Sequence, residues 1–150
     1  MRELILMRHA EALPAAIDAD DFTRPLSEAG RAAAVRAARK LAGGTAIERV
    51  LFSPARRTSD TTAIVADELP LERSRLQEVP ELYLATPATV RAAIAHWHVN
   101  AHTLLIVGHN PSLSELGGEL AGRSAHSHLP TAGFWRLRLA DDAWQALTQP

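Results

Sequence analysis

The chain has 150 residues, 47% hydrophobic and 22% charged, with a formal net charge of -1 and no cysteine. That balance argues against a disordered chain, a disulfide scaffold or thiolate chemistry, and it gives no strong field toward nucleic acid or an anionic membrane. No run reaches the ~18 apolar residues of a membrane span, and the opening MRELILM, broken by Glu3, is too short for a signal peptide. One cytoplasmic domain over residues 1–150 is the expectation.

Taken in chain order, Leu4 to Met7 reads as a short, fully apolar strand, the pattern of a central strand covered on both faces. Ser27 to Leu41 follows as an Ala-rich helix with Ser27 as N-cap, Val35, Ala38 and Leu41 on one stripe, and Gly43-Gly44 as its stop. Arg49 to Phe52 is a second strand, and Arg57 to Leu69 a second helix ended by Pro70. A third helix starts at Thr86-Pro87 and turns Val90, Ile94 and Trp97 inward. Thr103 to Val107, TLLIV, is again a buried strand, and a helix from about Pro111 carries Leu113, Leu116 and Leu120 on its inner stripe. GFWRLRL, residues 133–139, alternates as a half-exposed strand, and Ala140-Asp141-Asp142 reads as a turn into a last short strand around Trp144. Alternating strands and helices predict an α/β fold, a doubly wound sheet between helical layers.

In such sheets ligands bind beyond the carboxyl ends of the strands. Arg8-His9 follows the first strand, Ser53-Pro54 with Arg56 and Arg57 follows the second, and Gly108-His109-Asn110-Pro111 follows TLLIV. Arginine and histidine therefore converge on one rim, beside a Pro-started helix whose free N–H groups favour anions. A guanidinium matches two phosphate oxygens, and two of them without a metal motif suggest a metal-free phosphoryl site. An imidazole there can serve as acid or base, or attack phosphorus in line and be hydrolysed later. Each piece alone has a bland reading: an Arg-His pair arises by chance, GHNP can be a tight loop, and Arg56-Arg57 a solvated helix start.

Together the segments resemble the histidine phosphatase superfamily, of phosphoglycerate mutase-like fold, and within it the short bacterial phosphohistidine phosphatases of SixA type. LILMRHAEA (4–12) is similar to the family's strand with Arg-His-Gly or Arg-His-Ala, and DFTRPLSEAGRAAA (21–34) to its Arg-Pro-Leu-Ser/Thr-x-x-Gly segment. RVLFSPARRTSDT (49–61), VPEL (79–82) and LLIVGHNPSL (104–113) resemble its remaining elements. The resemblance implies a three-layer sandwich around a mostly parallel sheet, with His9 as the phosphorylated nucleophile and Arg8, Arg57 and His109 around the phosphoryl group. It implies no metal and no organic cofactor, and a phosphohistidine-bearing phosphorelay or phosphocarrier protein as partner. Glu81 falls in the segment that supplies a proton donor in some relatives, and Thr131 in a region that borders the pocket. Arg24 and Asn110 join Thr131 as candidate rim residues.

Three readings follow. The first is a metal-independent phosphohistidine phosphatase acting through phospho-His9. The second is a phosphomonoesterase on a small ester with Glu81 as acid, because an alkoxide needs a proton to leave while imidazole is a far weaker base. The third is a phosphate- or phosphoprotein-binding module without turnover. The acidic run 18–21 reads as a solvated loop or substrate rim. Asp60 departs from the family's glutamine, and Ala10, where many relatives carry glycine, would be strained at a positive φ. His96-x-His98 falls at a helix end that splays the pair; His126-x-His128 reads as a loop bordering the site rather than a metal site. Trp97, Trp135 and Trp144 read as packing.

Overall fold

The computed structural model describes residues 1–122 and 128–149. Five strands, β1 (Arg2–Arg8), β2 (Arg49–Phe52), β3 (Leu76–Glu78), β4 (Thr103–Gly108) and β5 (Phe134–Leu139), form one sheet in the order β3-β2-β4-β1-β5. The pairs β3-β2, β2-β4 and β4-β1 are parallel, and β5 runs antiparallel on the edge against β1. β1 and β4 lie in the middle because every side chain from Leu4 to Met7 and from Leu104 to Val107 is apolar and fully buried. Such unbroken runs suit strands covered on both faces.

Alternation along the strands splits the core into two layers. Leu4 and Leu6 of β1, with Leu104 and Ile106 of β4, pack with Val90, Ile94, Leu113, Leu116, Trp144 and Leu147, so α3 (Pro87–Trp97), α4 (Ser112–Ala121) and α5 (Asp141–Thr148) cover one face. Ile5, Met7, Val50, Leu105 and Val107 point the other way, onto Ala34, Ala38, Leu41 and Val65 of α1 (Glu28–Ala42) and α2 (Arg56–Glu68). The result is the expected three-layer sandwich around a mostly parallel sheet. Trp144 is buried, and Trp97 and Trp135 pack half-buried on the same cluster.

Local chemistry sets the helix ends. Ser27 accepts from the Gly30 N–H at 2.9 Å, and Thr86 caps α3 from just before Pro87. Gly122, at φ 63°, closes α4. Gly30 is required for space: a Cβ there would stand 2.1 Å from the Glu11 carbonyl oxygen, in the loop that follows His9.

Two elements differ from the sequence reading. The segment around Trp144 is the helix α5, not a strand. Asp141 and Asp142 favour a helix N-terminus, and Trp144 and Leu147, three residues apart, bury one face together. The edge strand β3 has only three residues, LQE, with no buried side chain, so no alternation announces it. No described helix is long and apolar enough to cross a membrane.

Candidate active site

The carboxyl ends of β1, β2 and β4 meet at one point. His9, one residue past β1, is fixed through its backbone: its N–H donates to Gly108 O at 3.0 Å and its carbonyl accepts from Ala132 N at 3.0 Å. Its Nδ1–H donates to the Ala10 carbonyl at 2.7 Å. That bond holds the tautomer in which Nε2 keeps its lone pair, and this nitrogen faces Arg57 Nε at 3.3 Å. Arg57 stands in the first turn of α2, its side chain almost fully buried. Thr61, one turn on, accepts from the Ala10 N–H at 3.0 Å and donates to Arg57 O at 2.7 Å, which ties the histidine loop to the arginine helix. His109 follows β4. Arg57 Nη2 approaches its Nδ1 at 3.4 Å, so Nε2–H donates to the buried Ser53 Oγ at 2.8 Å. The two imidazoles lie 5.3 Å apart, centroid to centroid.

The Nε–Nη2 edge of Arg57 thus faces both imidazoles, and its far end is taken by a residue from the acidic run. Asp21 Oδ2 accepts from Nη2 at 2.9 Å, and the Asp21 carbonyl accepts from Nη1 at 2.8 Å. Tyr83 O–H donates to the same Oδ2 at 2.9 Å, and Arg24 Nη1 donates to Oδ1 at 3.1 Å. Asp21 opens a short 3₁₀ turn, Asp21–Thr23, so folding of the 12–26 excursion over α2 delivers it.

Electrostatics follow from this burial. His9 is lowered to about 4, first by desolvation and then by the charges of Arg57, Arg8 and Arg24, against the opposing pull of the Ala10 carbonyl. His109 is lowered to about 3 by burial and by Arg57. Both rings are neutral near pH 7. Burial would raise Asp21, but hydrogen bonds from Tyr83, Arg24 and Arg57 outweigh it and hold it at about 2. A neutral imidazole whose Nε2 is unprotonated can receive a phosphoryl group, and the guanidinium beside it can balance the charge.

Residues 4–98 match the histidine phosphatase superfamily, branch 1. The chain belongs to that family. It is 37% identical to the uncharacterized protein Rv1276c of Mycobacterium tuberculosis, with 89% of this chain and 87% of that protein covered. In structure it is similar to a protein assigned as the phosphohistidine phosphatase SixA of Agrobacterium tumefaciens, at 30% identity, TM-score 0.82, and 93% and 96% coverage. It is also similar to the protein histidine phosphatase SixA complexed with tungstate, at 29% identity, TM-score 0.83, and 94% and 90% coverage.

Around the phosphatase site the other candidate residues divide. Arg8 is half-buried and donates to Leu129 O at 3.3 Å; its Nε is buried without a partner among the described residues, a donor that an anion would satisfy. Arg24 also donates from Nε to Leu13 O at 2.8 Å and so braces the excursion. Asn110 uses its side chain internally: Nδ2 donates to Leu129 O at 2.7 Å, and Oδ1 accepts from Ser114 Oγ at 2.7 Å. Thr131 is exposed, one residue before Ala132, which bonds His9. Glu81 is exposed on the 3₁₀ turn Pro80–Leu82, and no side-chain hydrogen bond joins it to the cluster.

Sequence reasoning missed Tyr83, and it held Asp21 only as a candidate acid in a run read as solvated loop or substrate rim, not as the partner of Arg57. The acidic run looked like solvent-facing loop, and only the fold sets one of its members against a buried arginine. Ala10 is fully buried and is not among the positive-φ residues, so the strain expected of it at positive φ is not present. Glu11 Oε1 accepts from Ser27 Oγ at 2.8 Å, at the cap of α1. Asp60 lies between Arg31 at 3.6 Å and Arg56 at 3.7 Å. His96 and His98 pack on different tryptophans, Trp97 and Trp144. His126 lies outside the described residues; His128 stands 3.4 Å from Arg8 Nη1. Among the described residues no three His, Asp or Glu side chains gather as metal ligands.

Proposed function

We propose that this phosphatase hydrolyses phosphohistidine on a protein, without a metal ion, through a covalent intermediate on His9. The observation that carries the reading is the state of His9: neutral, with Nδ1–H held by Ala10 O and Nε2 unprotonated, accepting only a long 3.3 Å bond from Arg57 Nε–H. In the first step the Nε2 lone pair attacks phosphorus in line, and the phosphorus–nitrogen bond of the substrate breaks. When the other ring nitrogen of the substrate carries a proton, the leaving ring departs as neutral imidazole. Phospho-His9 is then the same kind of species, an imidazolium with Nδ1–H on Ala10 O. The phosphoryl group passes between two like nitrogens and no proton need move. In the second step water attacks phosphorus, the bond to Nε2 breaks, and both water protons leave with dihydrogen phosphate. Arg57 and Arg8 balance the charge on the equatorial oxygens, and neutral His109 lines the pocket opposite His9.

An ester would need an acid to protonate its leaving oxygen. Asp21, held ionised, has no proton to give, and Glu81 is exposed with no side-chain hydrogen bond to the cluster. Both facts favour the phosphorus–nitrogen substrate over the ester. The test is a matched panel of phosphohistidine proteins and phosphate esters, with labelling from a phosphodonor. The reading expects higher kcat/KM on the phosphohistidine substrates and an acid-labile label that disappears in His9→Ala. Ester preference rejects the substrate; label retained in the variant rejects the nucleophile. A protein with no turnover on any member of the panel is the binding module.

A further inference from the structure

We infer that the apolar rim formed by Leu13, Ile17, Phe22 and Leu84 is a docking face for the protein that carries the phosphohistidine, a partner with apolar side chains around its modified residue. The inference rests on the proposed function and goes beyond it by placing the partner. Six large apolar side chains are exposed among the described residues. Two of them, Met1 and Val99, lie at the amino ends of β1 and β4, on the far side of the sheet from His9. The other four are on the two segments that bring Asp21 and Tyr83 over Arg57: Leu13, Ile17 at 96% exposure and Phe22 on the 12–26 excursion, and Leu84 at 74% beside Tyr83. Phe22 packs edge-on against Tyr83 at 5.1 Å, so the two segments meet there. The rim is continuous with the catalytic cluster through the Tyr83–Asp21–Arg57 hydrogen bonds.

A physical argument of reach says what covers it. His9 and Arg57 are at most 9% exposed, and a histidine side chain is short. A phosphohistidine whose phosphoryl group sits between them must bring its own backbone down to the mouth. The carrier's surface then presses on the loops that form that mouth, and burial of apolar area there supplies affinity that a free amino acid lacks. Leu82, by contrast, is part of the core and is not available to a partner.

The test is the double variant Ile17→Ser/Leu84→Asn, which replaces none of the side chains of the site and puts at position 84 a residue that tolerates a left-handed backbone. The probes are a phosphocarrier protein phosphorylated on histidine with phosphoramidate, and free phosphohistidine. Wild type is expected to show a higher kcat/KM on the protein than on the free amino acid. The variant is expected to lose about tenfold on the protein through KM, a change of about 1.4 kcal/mol, with free phosphohistidine unaffected. An unchanged rate on the protein, an equal loss on both probes, or a wild type no better on the protein than on the amino acid overturns the docking face alone. A wild type that turns over neither probe while it hydrolyses esters overturns the proposed function and the docking face together.

Discussion

Asp21 and Arg57, thirty-six positions apart, are joined by two hydrogen bonds of 2.8 and 2.9 Å, one to the carbonyl and one to the carboxylate. Arg57 is 6% exposed and Asp21 46%, so the carboxylate stands between the guanidinium and solvent and fixes which edge of it faces the imidazoles. Asp21→Ala is predicted to lower kcat/KM about ten- to a hundredfold, the scale of one charge-assisted bond to a buried partner. Asp21→Asn keeps an acceptor and loses less. A rate in Asp21→Ala equal to wild type would show that Arg57 is oriented without it; steady-state kinetics on one substrate decide this.

Glu81→Gln separates the two phosphatase readings. With phosphohistidine as substrate the change is predicted to cost less than about threefold in kcat. A loss of about a hundredfold, the size expected for a general acid, would favour an ester substrate.

The titration of the site gives a pH signature. His9 and His109 are lowered from 6.5 to about 4 and about 3 on folding, so between those values and 6.5 the unfolded chain binds more protons than the folded one. Stability therefore falls as pH drops from about 6.5 toward 4, and Asp21, lowered from 3.8 to about 2, extends the loss below that. Tm measured from pH 7 to pH 4 is predicted to decline, with a shallower slope in His109→Gln. With His9 as the proposed nucleophile, active only when neutral, activity is predicted to fall as pH passes through about 4.

Ser53→Ala removes the acceptor of His109 Nε2–H, 2.8 Å away and fully buried. An unsatisfied buried donor costs about 1–3 kcal/mol, so a Tm several degrees lower is predicted, together with weaker binding of tungstate or phosphate by the loosened ring. Isothermal titration of wild type and variant measures the second effect, and equal affinities would mean that His109 is positioned by other contacts.

Gly30→Ala places a methyl group against the backbone of Glu11 at 2.1 Å, where no side chain can move aside. A loss of about 1–3 kcal/mol in stability is predicted from overpacking alone. Because Glu11 follows the His9 loop, kcat is predicted to fall with it. Denaturant melts beside kinetics would show both.

The sequence by itself determined the central strands, four of the helices and the positions of Arg8, His9, Arg57 and His109. These are local properties: unbroken apolar runs mark strands buried on both faces, and strand ends in an α/β sheet mark where ligands gather. It failed where the signal was too short or weighed the wrong period, at the three-residue β3 and at α5, whose Trp144–Leu147 spacing is helical. Only the tertiary structure decided the partners of those catalytic candidates. That Asp21 clamps Arg57 follows from the way the 12–26 excursion folds across α2. That Nδ1 of His9 is held by Ala10 O, and that Ala10 N is in turn held by Thr61, depends on how the β1 loop meets that helix. Those relations join residues tens of positions apart, and no spacing rule along the chain encodes which member of an acidic run will lie against a buried charge.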